Sequence, residues 1–383
     1  MGTNLSKNTL LEVNHLSVDY YAASGTVHAV TDVSITLQRG EILGLAGESG
    51  SGKSTLAYAI TRLLRPPAMI TGGRVLYYPP GDDGATSAMQ LSKSERGERK
   101  NIDDAAGAID IMQLSPSELR SFRWNEISIV FQSAMNSLNP VMNIGAQIMD
   151  ALQTHRPDMG PDSRKERAIE LLKLVGITAD RLRSYPHELS GGMRQRAVIA
   201  IALALNPDLI IMDEPTTALD VVVQREILNL VSALCKEFKT ALIFITHDLS
   251  LLLELANNIA IMYAGKVVEK TSSKELYSHP RHPYSYGLLH SFPSLHGPRS
   301  KMTGIPGSPP DLRALPPGCP FHPRCPLAFH PCNTVVPVLS PSNADHPEQL
   351  VACHLYDSRF REEPPDTSVL AAKYEALVER SRR

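Results

Sequence analysis

"GESGSGKST", residues 47–55, joins a short apolar run, "EILGLA" (41–46), to a helix-patterned stretch, "STLAYAITRLL" (54–64), which Arg65-Pro66-Pro67 ends. The nonapeptide fits G-x-x-x-x-G-K-[ST], with Gly47, Gly52, Lys53 and Ser54 at the fixed places. Glycines let consecutive backbone N–H groups turn inward around an anion, and a helix starting there adds the positive end of its dipole. Strand, glycine loop, helix is the order a phosphate cradle needs, and a merely flexible turn needs none of it. The loop therefore supplies the candidate nucleotide-binding set: Gly47, Glu48, Ser49, Gly50, Ser51, Gly52, Lys53, Ser54 and Thr55. Within it, Lys53 would reach the β- and γ-phosphates and Ser54 would hold Mg2+.

Two stretches farther along carry matching chemistry. "LIIMDEP" (209–215) is a buried strand whose end exposes two acids. Asp213 is suited to Mg2+ through water, and Glu214 could orient and polarise an attacking water. In "LSGGMRQR" (189–196) a serine and two glycines open a helix, a second N-terminus fit for phosphate.

The rest of the chain reads as an α/β protein. "LLEVNHLSVDYY" and "VHAVTDVSITLQ" alternate as strands do; "NEISIVFQ" (125–132), "PDLIIMDEP" and "ALIFITH" (241–247) are further strands. Helical sequence separates them, including "VVVQREILNLVSALCKEF" (221–238). Another helix is expected from Ser163 as N-cap with Glu166 three later, with Ala168, Ile169, Leu171, Leu172 and Val175 on one face and Gly176 as the stop. Alternating strands and helices predict a parallel sheet covered on both faces, in one domain ending near residue 270. Residues 79–110 are polar and weakly periodic, the pattern of a surface insertion. Beyond 270 the chain becomes dense in proline and histidine.

Bulk properties narrow the partners. With 383 residues and a formal charge of −2 there is no basic excess to neutralise nucleic acid, so none is expected as a partner. The longest apolar runs, such as "AVIAIALAL" (197–205), are too short to span a bilayer, and no signal peptide is expected. Cys235, alone in an apolar-patterned helix, is expected to be core packing.

The stretch "HELSGGMRQRAVIAIALALNPDLIIMDEPTTALD" (187–220) resembles the ATP-binding-cassette (ABC) ATPases from signature to acidic strand to the D-loop residue Asp220. The resemblance implies a P-loop NTPase (RecA-like) core with antiparallel β and α-helical subdomains, the helical one at about 133–200. It implies roles for Gln132 in the Q-loop, His247 as the switch histidine, and Tyr20, with Tyr21 competing, as the ring that stacks on adenine. Ser190, Gly191, Gly192 and Gln195 would form the signature. It also implies a head-to-tail pair of cassettes, with ATP between one loop and the other's signature.

"SLNP" (137–140), "RHPYSYGLLHSFPS" (281–294) and "IPGSPPDLRALPPGCPFHPRCPLAFHPC" (305–332) resemble the peptide and nickel importer branch. That branch implies ATP-driven import of oligopeptides or dipeptides at the cytoplasmic face of a bacterial inner membrane. Its partners would be a second homologous ATPase subunit or a second copy, two transmembrane permease subunits and an extracytoplasmic substrate-binding protein. Nickel, opine or oligosaccharide import, and a non-transport ABC ATPase of translation or DNA repair, are the alternatives.

Residues 271–383 are expected to form a small irregular C-terminal extension. Its Cys319, Cys325, Cys332 and Cys353 run C-x5-C-x6-C-x20-C between about 316 and 356. Zinc sites favour closer pairs, and a reducing cytosol disfavours disulfides. Cys-Pro at 319–320 and 325–326, with four well-separated ligands, suits a [4Fe–4S] cluster, which the resemblance also implies; Zn2+ is the alternative. His322, His330 and His354 nearby are expected to lie behind or outside the ligand shell.

Overall fold

The structure is a computed structural model that describes residues 8–80, 102–103, 107–132, 137–217, 219–291, 304–343, 346–365 and 367–381. Most of the expected 79–110 insertion, and residues 133–136 of the expected helical region, lie outside the described residues.

The strands are β1 (Thr9–Ala22), β2 (Gly25–Gln38), β3 (Ile42–Ala46), β4 (Ala68–Tyr77), β5 (Ile102–Asp103), β6 (Ala108–Asp110) and β7 (Ile127–Val130), followed by β8 (Leu209–Asp213), β9 (Ala241–Ile245), β10 (Asn258–Tyr263), β11 (Lys266–Ser272), β12 (Ser340–Pro341) and β13 (Leu350–Val351). The helices begin with α1 (Lys53–Ile60), α2 (Pro116–Asn125), α3 (Ile144–His155), α4 (Pro161–Leu174) and α5 (Gly191–Ala202). They continue with α6 (Val221–Phe238), α7 (Leu249–Leu255), α8 (Ser273–Ser278), α9 (Pro283–Leu289) and α10 (Thr367–Ser381).

Two sheets result. The central one runs β12-β13-β11-β10-β3-β9-β8-β7, and its five strands from β10 to β7 are parallel. β11, β13 and β12 add antiparallel strands at one end, so the sheet is mixed where the alternating pattern predicts only parallel pairing. The second sheet, β2-β1-β4-β6-β5, is antiparallel throughout. Ala108 and Ile109, at the end of the polar 79–110 stretch, are buried in it.

The period of two divides the parallel strands between two cores. Leu43, Leu45, Ile211, Ile243 and Ile245 face β1, β2 and α1, whereas Ile210, Met212, Leu242 and Phe244 face the helices. Both faces are covered, which is why these strands read as continuous apolar runs.

Two helix boundaries differ from expectation. α4 starts at Pro161 with Gly160 as N-cap, because proline's fixed φ suits the first helical position; Ser163 is already inside the helix. Its expected face is in place, with Ala168, Leu171, Leu172 and Val175 all buried. α1 stops at Ile60, well before Arg65, because Arg62 turns to φ +52° and donates to the Ile111 and Leu114 carbonyls. Cys235 is buried in α6, as its apolar setting predicts.

Candidate functional site

The glycine loop leaves β3 and enters α1, and close packing dictates its two fixed glycines. Gly47 (φ +148°) lies against the Met262 carbonyl and Gly52 (φ +101°) against the Ala29 carbonyl; a Cβ at either place would run into backbone. Lys53 folds back over the loop, its Nζ donating to the carbonyls of Gly47 (2.8 Å) and Glu48 (2.9 Å) and to Ser51 Oγ (3.3 Å). These three bonds tie the Lys53 ammonium to its own loop. Burial lowers the Lys53 pKa, while Glu214, Asp213 and Glu48 act against that shift.

β8 delivers its two acids to the same place. Ser54 Oγ donates to Asp213 Oδ1 at 2.9 Å, and the Tyr58 hydroxyl interacts with Asp213 electrostatically. Asp213 is fully buried, and its Oδ2 has no protein partner. Burial raises its pKa, against the Ser54 hydrogen bond; burial and Asp213 in turn push Tyr58 up to about 12. An unpartnered carboxylate oxygen beside a serine hydroxyl is an all-oxygen donor set, the kind that suits Mg2+.

Glu214 adopts φ +47°, and its backbone N–H bonds the Ile245 carbonyl at the end of β9. Its carboxylate is held on three sides: Gln132 Nε2 and Thr217 Oγ1 each donate to Oε2 at 3.1 Å, and His247 Nδ1 lies 3.2 Å from Oε1. Gln132 and His247 are exposed, so this end of the site opens to solvent. Tyr20 is half-buried with its hydroxyl 3.2 Å from Thr55 Oγ1, whereas Tyr21 is 50% exposed. Ser49 and Gly50 form the exposed tip of the loop.

The structure thus gathers Lys53, Ser54, Thr55, Asp213, Glu214, Gln132, His247 and Tyr20. It does not join the 190–195 set to them: among the described residues no hydrogen bond links Ser190, Gly191, Gly192 or Gln195 to the loop. Ser190 caps α5 by accepting from Met193 N–H, and Asp220 caps α6 by accepting from Val222 and Val223 N–H. Gly192 packs on the start of α6, where a Cβ would meet Val223 Cγ1 at 2.8 Å. Gln195 is buried with its Nε2 unpartnered.

Sequence reasoning passes over Tyr58 and Thr217. Tyr58 sits four residues after Ser54 on α1, one turn along the same face, which is the signal that could have found it. Thr217 lies three residues past Glu214.

In the tail, Cys319, Cys325, Cys332 and Cys353 line one cavity with Phe321, Leu327, Leu355, His282, His322 and His354. Short 3-10 turns at His322–Arg324, His330–Asn333 and His354–Tyr356 bring the cysteines in, and Cys319 N–H bonds the Cys332 carbonyl at 2.9 Å. Burial raises all four thiols, Cys319 to about 11 and Cys325 to about 12. Among the described residues no group of three or more His, Cys, Asp or Glu forms a metal site. The [4Fe–4S] and Zn2+ expectations therefore meet a shared cavity of neutral, packed thiols and not a formed ligand set. His322 Nδ1 and His354 Nε2 are taken by the carbonyls of Cys319 and Val335, while His354 Nδ1 is buried without a partner.

Among the described residues no helix is long and apolar enough to cross a membrane.

Comparison with known proteins bears on both regions. Residues 30–217 match the family model of the ABC transporter, and residues 268–332 that of the oligopeptide/dipeptide transporter, C-terminal region. The chain is 41% identical over 348 residues to the oligopeptide transport ATP-binding protein OppD of Salmonella typhimurium, covering 90% of this chain and 93% of that one. It is 40% identical over 353 residues to the dipeptide transport ATP-binding protein DppD of Bacillus subtilis, covering 91% and 96%. Among solved structures, the ATP-binding cassette MJ0796, as a post-hydrolysis dimer bound to ADP and Pi, superposes with a TM-score of 0.55 at 27% identity, over 69% of this chain and 99% of that one.

Proposed function

This chain belongs to the ABC transporter family, among its oligopeptide and dipeptide ATP-binding subunits, and from that premise we propose that it hydrolyses ATP to power peptide import. The observation that carries the reading is convergence: the ends of β8 and β9 deliver Asp213, Glu214 and His247 to the phosphate loop, where Ser54 already bonds Asp213.

In the proposed mechanism Lys53 and the loop N–H groups bind the phosphates, and Tyr20, the ring tied to Thr55, stacks on adenine. Ser54 and Asp213, with Gln132, would hold Mg2+, which when bound offsets phosphate charge. Glu214 accepts the proton of the attacking water as the new P–O bond forms and the bond to the leaving ADP oxygen breaks. Gln132, Thr217 and His247 keep that carboxylate aimed. Ser190, Gly191, Gly192, Gln195 and Asp220 serve the site of a facing cassette, supported by their lying apart from the loop of their own chain. That cassette is a second homologous subunit or a second copy. Two permease subunits and an extracytoplasmic binding protein would complete an importer carrying this chain on the inner face of the cytoplasmic membrane.

We divide the chain at about residue 270 and assign the extension to a four-cysteine site. Its support is the shared cavity, the two buried and two half-buried cysteines and the orphaned His354 Nδ1. A [4Fe–4S] cluster would replace the four thiol protons with four metal bonds. Anaerobic metal analysis tests this: about four irons per chain is expected, and stoichiometric zinc or no metal overturns it. The function itself is tested in the reconstituted importer, where ATP turnover should rise with peptide and uptake should require ATP. Turnover without peptide uptake, whatever peptide is supplied, refutes it.

A further inference from the structure

Glu48 is an acid inside an anion-binding loop, and the tail takes hold of it. Arg324 grips the carboxylate with both terminal nitrogens, Nη1 to Oε2 at 2.7 Å and Nη2 to Oε1 at 2.9 Å. Such a two-point fork is the strongest and most directional pairing a carboxylate can have with a side chain. Arg324 is itself fixed: its side chain is 6% exposed, Nε donates to the Pro306 carbonyl at 2.8 Å, and Nη1 reaches the Tyr263 hydroxyl at 3.3 Å. A second tail residue holds the same loop position by its backbone, since the Glu48 N–H donates to the Tyr284 hydroxyl at 2.8 Å. Phe321 packs edge-on against Tyr263 and tilted against Tyr284, so the two grips share one aromatic cluster. Arg324 adjoins Cys325, and the cysteine cavity is therefore one residue from the phosphate loop's anchor.

We propose that the C-terminal extension is a positioning element of the nucleotide site: Arg324 and Tyr284 hold Glu48, side chain and backbone, so that residues 47–52 keep their phosphate-accepting form. This rests on the loop being the ATP site. Two consequences come from the geometry. With Arg324 present, the Glu48 carboxylate is neutralised and drawn toward the tail. Without it, a free carboxylate remains beside the Lys53 ammonium, which already bonds the Glu48 carbonyl, and competes there with phosphate.

The test uses the full chain in its assembled importer. Arg324→Ala should raise the KM for ATP about tenfold, the worth of a charge-assisted hydrogen bond, and leave kcat at saturating ATP within about twofold. Arg324→Lys keeps the charge but not the fork and should recover part of that loss. Adding Glu48→Gln to Arg324→Ala should recover more, since the uncompensated carboxylate is gone. A fall in kcat at unchanged KM means lost folded protein only and overturns the proposal, as does a double variant no better than Arg324→Ala. Should Arg324→Ala not fold, Tyr284→Phe removes only the hydroxyl grip; a KM rise of roughly two- to threefold supports the proposal and an unchanged KM overturns it. A wild-type complex without ATP turnover would strike the functional reading instead, whereas normal wild-type turnover with unaltered variants strikes this inference alone.

Discussion

The nucleotide site and the cysteine cavity solve the same problem in opposite ways. Each keeps a buried polar atom without a partner, Asp213 Oδ2 in one and His354 Nδ1 in the other. At the nucleotide site regular elements do the placing: three parallel strands end side by side and α1 begins between them, so charged groups stand where the sheet stops. In the cavity short 3-10 turns and prolines do it, and the polar groups are sunk among Phe321, Leu327 and Leu355. Strand ends can present charge to solvent and exchange a ligand in every cycle. The cysteine cavity lies away from those strand ends, lined by apolar side chains as well as thiols. The contrast separates a site built on the ends of a sheet from one built on irregular backbone.

The largest expected effect breaks the comparison at its catalytic end. Glu214→Gln should cut ATP turnover by roughly 10³-fold, the scale of a lost general base, while ATP still binds and the melting temperature hardly moves. Steady-state hydrolysis beside equilibrium nucleotide binding reads both. Lys53→Ala should come next, weakening ATP binding by about 10- to 100-fold as one charge-assisted contact goes; titration with a fluorescent ATP analogue measures it.

Cys325→Ser moves the probe to the other region. Here metal content should fall toward zero and the melting temperature by several degrees, the reverse of the Glu214→Gln pattern. Elemental analysis with calorimetry on anaerobic protein checks it, and a variant with wild-type metal and melting would erase the proposed difference. Tyr20→Ala is the smallest: lost stacking costs about 0.5–1.5 kcal/mol, up to about tenfold in ATP affinity, while Tyr21→Ala changes it less than about twofold. The same titration sharpens the choice between the two rings.

The site was legible wherever one residue type is required at a fixed interval from a regular element. Gly47 and Gly52 could be read because backbone carbonyls exclude a Cβ there, and Asp213 and Glu214 because four apolar residues precede them. The antiparallel sheet came through family likeness, and the alternation of β1 and β2 agrees with it. What stayed hidden depends on distant partners. The Arg324–Glu48 pair spans 276 residues, and neither member sits in a periodic pattern. The end of α1 was misread because Thr61 to Leu64 carries no helix breaker; the pull of two carbonyls near residue 111 on Arg62 outweighs local propensity. The start of α4 was misread because Ser163 imitates a cap, while Gly160 and Pro161 begin the helix three residues earlier.

The pairing of β13 with β11 has a consequence for anyone shortening this protein. β11 is rich in buried valine, and the two-residue β13 sits on its outer backbone rim. A truncation that removes the last fifty residues bares that rim, with N–H and C=O groups free to recruit a neighbouring molecule. Such a fragment would meet self-association first, and its loss of solubility could be mistaken for loss of function.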